Sequence, residues 1–301
     1  MSGSSNASAR ASARARLAAE QARQQQRRRR LTWFGLPVAL VVLVVAVLVV
    51  VKVSGVGQHA AAPSASTGAA ADQVVSAVTS VPAAVLDQVG AGSGVTPPKR
   101  VDAPALTADG KPRVLYVGAE YCPYCAAERW AVVVAMSRFG TYAGLGQTAS
   151  SAQDVFPSTP TLSFHGAAYT SQTVAFTGVE TESNVVAGSG YAPLDTLSPA
   201  DEQLFSTYNA PPYVEGSGGS IPFIDIGGTY LVSGASFTPQ VLQGLTHEQV
   251  AAALSDPTSP VAKGVDGAAN VITAAVCTST QQQPAAVCGS AGVQAAAKTL
   301  G

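Results

Sequence analysis

Two cysteines in the stretch Cys122-Pro123-Tyr124-Cys125 are the residues of this sequence best suited to chemistry. Thiols at positions i and i+3 can close a small ring and reopen it with little movement, which is what dithiol–disulfide exchange requires. If a helix begins here, its unpaired N–H groups and its dipole stabilise the thiolate of Cys122, the form that attacks a disulfide. Cys125, one turn inside the helix and more shielded, would then be the resolving thiol.

The flanking sequence predicts this placement of the cysteines. Arg113–Ala119 has β-branched and aromatic residues around a continuous apolar centre, which is typical of a strand buried on both faces. After the cysteines the apolar residues recur at helical spacing, and Pro123 suits the first turn of a helix because its missing N–H is not needed there. Gly140 offers a stop for this helix. Tyr124 can cover one side of the cysteine pair.

The rest of the chain predicts further strands and helices. Strands are expected at Thr161–Gly166 and Gln172–Glu180, and a helix at Ser198–Tyr208, where a Ser-Pro start signal precedes acidic residues. The apolar segments Ile221–Ile226 and Thr229–Val232, separated by two glycines, predict a hairpin. The sequence therefore indicates a mixed α/β domain.

The N-terminal part predicts a membrane anchor. Arg residues are concentrated in residues 1–30, and the uncharged apolar run Leu31–Val51 that follows is long enough, as a helix, to span a hydrocarbon core of roughly 30 Å. We expect an uncleaved transmembrane helix at residues 31–53, with the Arg-rich end in the cytoplasm. Residues 54–71 then form a flexible linker. Residues 72–301 form an extracytoplasmic domain, with an Ala-rich helical C-terminal extension, on a single-pass protein of the cell membrane.

Charge and motifs exclude several classes of function. The 17 basic and 18 acidic residues leave a net charge of -1, so no overall field attracts nucleic acid. No phosphate-binding loop, Ser-His-Asp arrangement or dinucleotide fingerprint is present. His165 and His247 each stand alone in the sequence and are assigned as neither metal ligand nor base. We expect no cofactor and no metal site.

Two other interpretations of the Cys122–Cys125 pair stay open: a permanent disulfide, and half of a zinc site. The second pair, Cys277 and Cys288, is expected to form a structural disulfide, because four cysteines in an exported domain most simply make two pairs. Closing a loop of about a dozen residues stabilises a fold by ~3 kcal/mol in the chain-entropy model. A relay between this second pair and Cys122 is the alternative, and it requires the two pairs to lie close together.

Two carboxylates flank the cysteine motif. Glu120 or Glu128, if close to a thiolate, would oppose its ionisation or accept its proton. Glu128 is equally well interpreted as a solvated helix residue balanced by Arg129. Trp130, at helical spacing, is expected in the core.

The order of these features resembles the thioredoxin fold: a strand, Cys-Pro-Tyr-Cys, a helix, a long intervening segment, and Ile221-Pro222 leading a hairpin. The cysteine motif is typical of glutaredoxins and is similar to that of periplasmic disulfide oxidases. The resemblance implies that the Ile221-Pro222 bond is cis and faces the cysteines. It also implies that Pro123, Tyr124, Ile221 and Pro222 contact the substrate.

A longer resemblance joins "DGKPRVLYVGAEYCPYCAAERW", "SRFG" and "IPFIDIGG" to a membrane-anchored family of high-GC bacteria, domain-of-unknown-function family 929. The expected fold is α/β and thioredoxin-like, with a segment inserted between the cysteine helix and the proline hairpin. The implied function is thiol–disulfide exchange on exported proteins, supported by an unidentified redox partner. The alternative is a non-catalytic binding or cell-envelope scaffold domain with structural disulfides.

Overall fold

The structure, a computed structural model, describes residues 68–301 and is a mixed α/β fold. The predicted Arg-rich tail, the predicted membrane helix at residues 31–53 and all but the end of the predicted linker lie outside the described residues. The first helix begins at Ala69, within the last residues predicted as linker.

The structure contains eight helices and twelve strands in the described range, apart from one 3-10 helix at Pro239–Leu242. The helices are α1 (Ala69–Thr79), α2 (Ala83–Val89), α3 (Pro123–Ser137), α4 (Pro199–Tyr208), α5 (His247–Ala253), α6 (Pro260–Ser279), α7 (Ala285–Cys288) and α8 (Ala291–Ala297). The strands are β1 (Lys99–Arg100), β2 (Thr107–Ala108), β3 (Lys111–Gly118), β4 (Gly140–Ala143), β5 (Gly146–Ala149), β6 (Pro160–Ser163), β7 (Ala168–Ser171), β8 (Ala175–Glu180), β9 (Glu182–Ala187), β10 (Gly190–Pro193), β11 (Phe223–Ile226) and β12 (Tyr230–Ser233).

A sheet centred on β3 forms the middle of the fold. β8 pairs with one edge of β3 in parallel, and β11 pairs with the other edge antiparallel. β12 continues the sheet beyond β11 as the second strand of the predicted hairpin, and β1 and β2 add two short antiparallel segments. The strand order is therefore β1-β12-β11-β3-β8, and the short β2 pairs with the first two residues of β3.

The sheet is covered by helices on both faces. Successive side chains of a strand point to opposite faces, so Val114 and Tyr116 of β3 join the core that contains α3 and α6. Leu115 and Val117 face the other way and belong to a smaller cluster with Phe205 of α4. The inner residues of β3 are buried in this arrangement, as a strand with a continuous apolar centre requires.

Helix α6 is a central element of the larger core. It packs against α3, and its residues are buried along most of its length. The structure buries this Ala-rich helix of the expected C-terminal extension in the core that also contains β3 and α3.

In the sequence between α3 and the β11–β12 hairpin, the chain forms three small antiparallel pairs of strands: β4 with β7, β5 with β6, and β9 with β10. Helix α3 ends at Ser137, and the expectation that Gly140 stops it was wrong. Gly140 is instead the first residue of β4, where a side-chain Cβ would collide with the carbonyl of Thr170 on β7. The close approach of two strands, rather than a helix cap, requires a glycine here.

Within residues 68–301 no single helix combines the length and the apolar composition needed to cross a membrane. The consecutive helices α1 and α2, bent by 57°, meet that requirement only as a pair, by length and composition alone.

Candidate functional site

Cys122 lies at the junction between β3 and α3. As the chain leaves β3, Thr181 N–H donates to the Gly118 carbonyl over 2.8 Å, and Glu120 N–H donates to the Glu182 carbonyl over the same distance. These two bonds fix the loop against the end of β8 and the start of β9. Cys122 then serves as the N-cap residue of α3, with Pro123 in the first turn.

The two cysteines differ in access to solvent. The Sγ atom of Cys122 accepts a hydrogen bond from the backbone N–H of Cys125 at 3.3 Å. Cys122 keeps 6% of its surface exposed, whereas Cys125 is completely buried. Both are present as free thiols. An incoming group can therefore reach Cys122 before it can reach Cys125.

The thiols also differ in acidity. The pKa of Cys122 is lowered, chiefly because its sulfur accepts a hydrogen bond from the Cys125 thiol. Burial opposes this shift, while backbone N–H groups of Cys125 and Tyr124 and the charge of Arg129 support it. The pKa of Cys125 is raised well above its ordinary value, mainly by burial. A thiolate therefore forms first at Cys122.

The structure brings Ile221 and Pro222 to the cysteine pair. The bond between them is cis, and it directly precedes β11. The Sγ atom of Cys122 lies 3.8 Å from the carbonyl oxygen of Ile221, across a sequence separation of 99 residues. Of the other predicted substrate contacts, Pro123 is buried in the first turn of α3, and Tyr124 is 42% exposed beside it.

A cavity of about 420 Å³ opens beside these residues. It is lined by Tyr124, Ser220, Ile221 and residues 234–238, together with Gly94 and Thr96. The cavity therefore extends from the turn that carries Cys122 to the loop that follows β12.

Apolar side chains are exposed around the cysteine turn. Within residues 68–301 the exposed large hydrophobic residues are Tyr124, Val155, Val185 and Val186. The Tyr124 ring packs edge-on against Phe156, next to Val155, with 5.9 Å between ring centroids. Tyr191, opposite Val186 in the β9–β10 pair, stacks on Tyr121 at 4.2 Å. The segments that carry the exposed residues thus contact the residues that flank Cys122.

The second cysteine pair forms a disulfide between Cys277 and Cys288, as the sequence predicts. Cys277 is near the C-terminal end of α6, where the Ser279 hydroxyl donates to the Ile226 carbonyl over 3.5 Å. Ile226 ends β11, whereas Ile221 precedes its start. This disulfide therefore lies toward the opposite end of β11 from Cys122, which disfavours a relay between the two pairs.

The interpretation of Glu128 as a solvated helix residue balanced by Arg129 was wrong. Glu128 is fully buried and accepts hydrogen bonds from the backbone N–H and the hydroxyl of Ser236, at 2.7 and 2.8 Å. Arg129 does not balance it, because Arg129 forms a bidentate ion pair with Glu180 at the end of β8. A helix with apolar residues on all sides has no solvated face, and this was the available signal that its charges are buried.

The side chains of Arg129 and Glu180 are both fully buried. Burial lowers the pKa of Arg129, but the charge and hydrogen bonds of Glu180, together with the nearby Tyr116 and Cys125, hold this pKa above its ordinary value. Burial raises the pKa of Glu180, and the guanidinium opposes that shift. The two groups therefore depend on each other for their charge.

Tyr116 completes the buried surroundings of the cysteines. Its ring lies over Gly118, where a Cβ atom would collide with the Tyr116 hydroxyl. Burial raises the pKa of Tyr116 well above its ordinary value. Its hydroxyl has no hydrogen-bond partner in the described part of the chain.

Residues 98–187 and 197–278 match the family described as Domain of unknown function (DUF929), and the chain belongs to this family. The matched residues include β3, the cysteine motif, the β11–β12 hairpin and Cys277, but not Cys288. No curated protein and no solved structure matches the chain. Among the residues that the structure describes, no group of three or more His, Cys, Asp or Glu side chains is arranged to hold a metal ion.

Proposed function

We propose that this protein is a membrane-tethered thiol–disulfide oxidoreductase that acts on exported proteins through Cys122 and Cys125. The observation that carries the proposal is the combination at Cys122: a thiol of lowered pKa at a helix N-terminus, 3.8 Å from the carbonyl oxygen of Ile221, with Cys125 buried behind it. Low thiol pKa and access are the properties that distinguish reactive cysteines from structural ones.

The proposal includes a thioredoxin-like fold. Its support is the order β3, α3, parallel β8 and the antiparallel β11–β12 pair, with helices on both faces of the sheet. The three small strand pairs would be the insertion between the cysteine helix and the proline hairpin. The short distance between Cys122 and Ile221 further supports the assignment of Pro222 as the proline that faces the cysteine pair.

The exchange proceeds in two steps that conserve atoms and electrons. The Cys122 thiolate attacks one sulfur of a substrate disulfide and releases the other sulfur as a thiolate, which takes a proton from solvent. Cys125 then attacks the Cys122 sulfur and expels the substrate as its second thiol. The protein is left with a Cys122–Cys125 disulfide and the substrate has gained two electrons. The reverse sequence oxidises a substrate dithiol, and the redox potential decides the direction.

A polypeptide is the substrate that this surface favours. The 420 Å³ cavity beside Tyr124 and Ile221 leaves room for side chains next to the reacting sulfur. The exposed Tyr124, Val155, Val185 and Val186 provide apolar contacts of the kind found at protein interaction sites. With residues 31–53 as a single-pass anchor and the N-terminus in the cytoplasm, the substrates are exported proteins, and an unidentified redox partner restores the cysteine pair.

Trapping of mixed disulfides tests the proposal. The full-length Cys125→Ser variant, expressed in cells, should accumulate adducts through Cys122 that are visible on non-reducing gels and released by dithiothreitol. The matched Cys122→Ser variant retains one thiol but should form none. If neither variant forms adducts, and the purified wild-type chain neither oxidises nor reduces a model peptide, the protein is not an oxidoreductase.

The second candidate function is a binding or cell-envelope scaffold domain without turnover, and the low exposure of Cys122, 6%, favours it. Thiol trapping of the purified full-length chain over a range of redox buffers separates the two. A pair that stays oxidised below about −300 mV behaves as a structural disulfide, whereas one that is reduced at a higher potential is labile enough for exchange.

A further inference from the structure

Arg129 lies one helical turn from Cys125. Residues four positions apart on a helix share a face, with about 5–6 Å between their Cβ atoms. The Arg129 guanidinium is held in place by three bonds: Nε and Nη2 each donate to Glu180 at 2.7 Å, and Nη2 also donates to the Ala119 carbonyl at 2.6 Å. A fixed positive charge therefore lies under the cysteine turn, between α3, the end of β8 and the loop after β3.

This guanidinium retains unused donors. Its Nη1 atom is buried and has no hydrogen-bond partner among residues 68–301, and the same holds for the Tyr116 hydroxyl. The positive charge of Arg129 lowers the pKa of both thiols. The other titratable groups around the guanidinium are Tyr116 on β3, Glu180 on β8 and Glu120, which adds to the negative potential at Glu180.

Cys125 is the sulfur that needs such support. The N-cap position stabilises a thiolate at Cys122, and Cys125 contributes its own N–H to that sulfur. Cys125 is completely buried, and a buried charge without a nearby opposite charge is strongly unfavourable. Yet Cys125 must become a nucleophile each time a mixed disulfide on Cys122 is resolved.

We propose that Arg129 stabilises the thiolate of Cys125 in the resolving step and that Glu180 holds the guanidinium in position for this role. The inference rests on the proposed function. In this step the Cys125 thiol loses its proton to the departing substrate sulfur, a Cys122–Cys125 bond forms and the bond between Cys122 and the substrate breaks. Arg129 acts through Cys125 without touching the substrate, so it is a positioning residue.

One measurement can follow the reactions of Cys122 and Cys125 as two separate phases. The full-length chain, purified in a non-ionic detergent, is mixed with 5,5′-dithiobis(2-nitrobenzoate), and release of thionitrobenzoate is followed by its absorbance. Attack by Cys122 releases the first equivalent, and attack by Cys125 on the resulting mixed disulfide releases the second. A neighbouring opposite charge lowers the pKa of an acidic group by about 1 to 3 units, and part of the effect on the rate is offset because a more acidic thiolate is a weaker nucleophile. Arg129→Gln should therefore slow the second phase by roughly 3- to 40-fold.

Three further variants distinguish charge from simple loss of structure. Arg129→Lys should restore most of the rate of the second phase, since it keeps the charge. Glu180→Gln keeps an amide oxygen that can accept from the guanidinium and hold it in place, but it removes the counter-charge, so it should accelerate the second phase. If the pair were purely structural, both Arg129→Gln and Glu180→Gln would slow this phase. Arg113→Gln is the matched control, since Arg113 forms a bidentate pair with Asp201 toward the other end of β3, and its two phases should match the wild type.

Each outcome has a separate meaning. If the first phase is absent from the wild type, the proposed function fails. If both phases occur and Arg129→Gln resolves at the rate of Arg113→Gln, the role of Arg129 is refuted while the oxidoreductase proposal stands. If Arg129→Gln does not fold, Glu180→Gln decides: a second phase no faster than that of the wild type overturns the inference.

Discussion

Replacement of Glu128 by Gln should make the stability of the protein less sensitive to alkaline pH. Glu128 is buried on α3, and burial raises its pKa from 4.5 to about 7, against two hydrogen bonds from Ser236 that lower it. The folded state therefore binds the proton of this carboxyl more tightly than the unfolded state does. Stability that is fully present below pH 4.5 is lost as the pH rises to about 7 and above.

The size of the loss follows from the shift. A difference of one pKa unit corresponds to 1.36 kcal/mol, so a rise from 4.5 to about 7 corresponds to about 3 kcal/mol at pH 8. Gln has the shape of the protonated carboxyl and can both accept from and donate to Ser236. For a domain of this size, 1 kcal/mol shifts the melting temperature by roughly 2–4 °C. The variant should therefore melt roughly 6–12 °C above the wild type at pH 8 and close to it at pH 4.5.

Thermal unfolding of the full-length chain, followed by far-UV circular dichroism at several pH values, measures this difference. Glu215→Gln is the control, because Glu215 is exposed and should give no pH-dependent difference of this size. The other buried carboxyls are present in both proteins, so their contributions cancel in the difference between the two melting temperatures. A melting difference that is constant between pH 4.5 and 8, or a variant less stable than the wild type at pH 8, would show that Glu128 is ionised in the fold without this penalty.

Two further variants test a buried carboxyl and the disulfide. Asp266 on α6 has both carboxylate oxygens buried without hydrogen-bond partners among the described residues, and burial raises its pKa from 3.8 to about 8. Asp266→Asn should thus stabilise the protein by about 4 kcal/mol at pH 7. In the same melting assay this gain should shrink toward zero near pH 4. If the variant is no more stable than the wild type at pH 7, the pKa of Asp266 is not raised in the fold. Replacement of Cys277 and Cys288 by Ser removes a cross-link and should lower stability by ~3 kcal/mol while leaving both thionitrobenzoate phases unchanged; a slower first phase would show that the two cysteine pairs are coupled.

The elements that carry the cysteines could be predicted because their signals are local. The apolar centre of β3, the Pro123 that begins α3 and the two glycines of the hairpin each act within a few residues. The expectation that Ile221 faces Cys122 came from resemblance, since no local pattern links residues 99 positions apart.

The charged residues of α3 could not be assigned from sequence, because their partners are remote. Arg129 pairs with Glu180 across 51 positions, and Glu128 bonds to Ser236 across 108. In the sequence Glu128 and Arg129 are adjacent opposite charges, which is the usual pattern of a solvated helix surface. Glu128 and Arg129 find different partners only because α3 is buried in the core against α6, and that burial depends on where the chain places α6.

These remote contacts explain how one helix can position several parts of the site. Through Arg129, α3 is bonded to the end of β8 and to the loop that leads to Cys122. Through Glu128 it is bonded to residue 236 in the wall of the cavity. A buried donor or acceptor that loses its partner is strongly unfavourable, so these hydrogen bonds allow little movement of the residues they join. The turn with the reactive sulfur and the cavity wall beside it are therefore held by the same rigid element, and a shift of α3 would disturb both together.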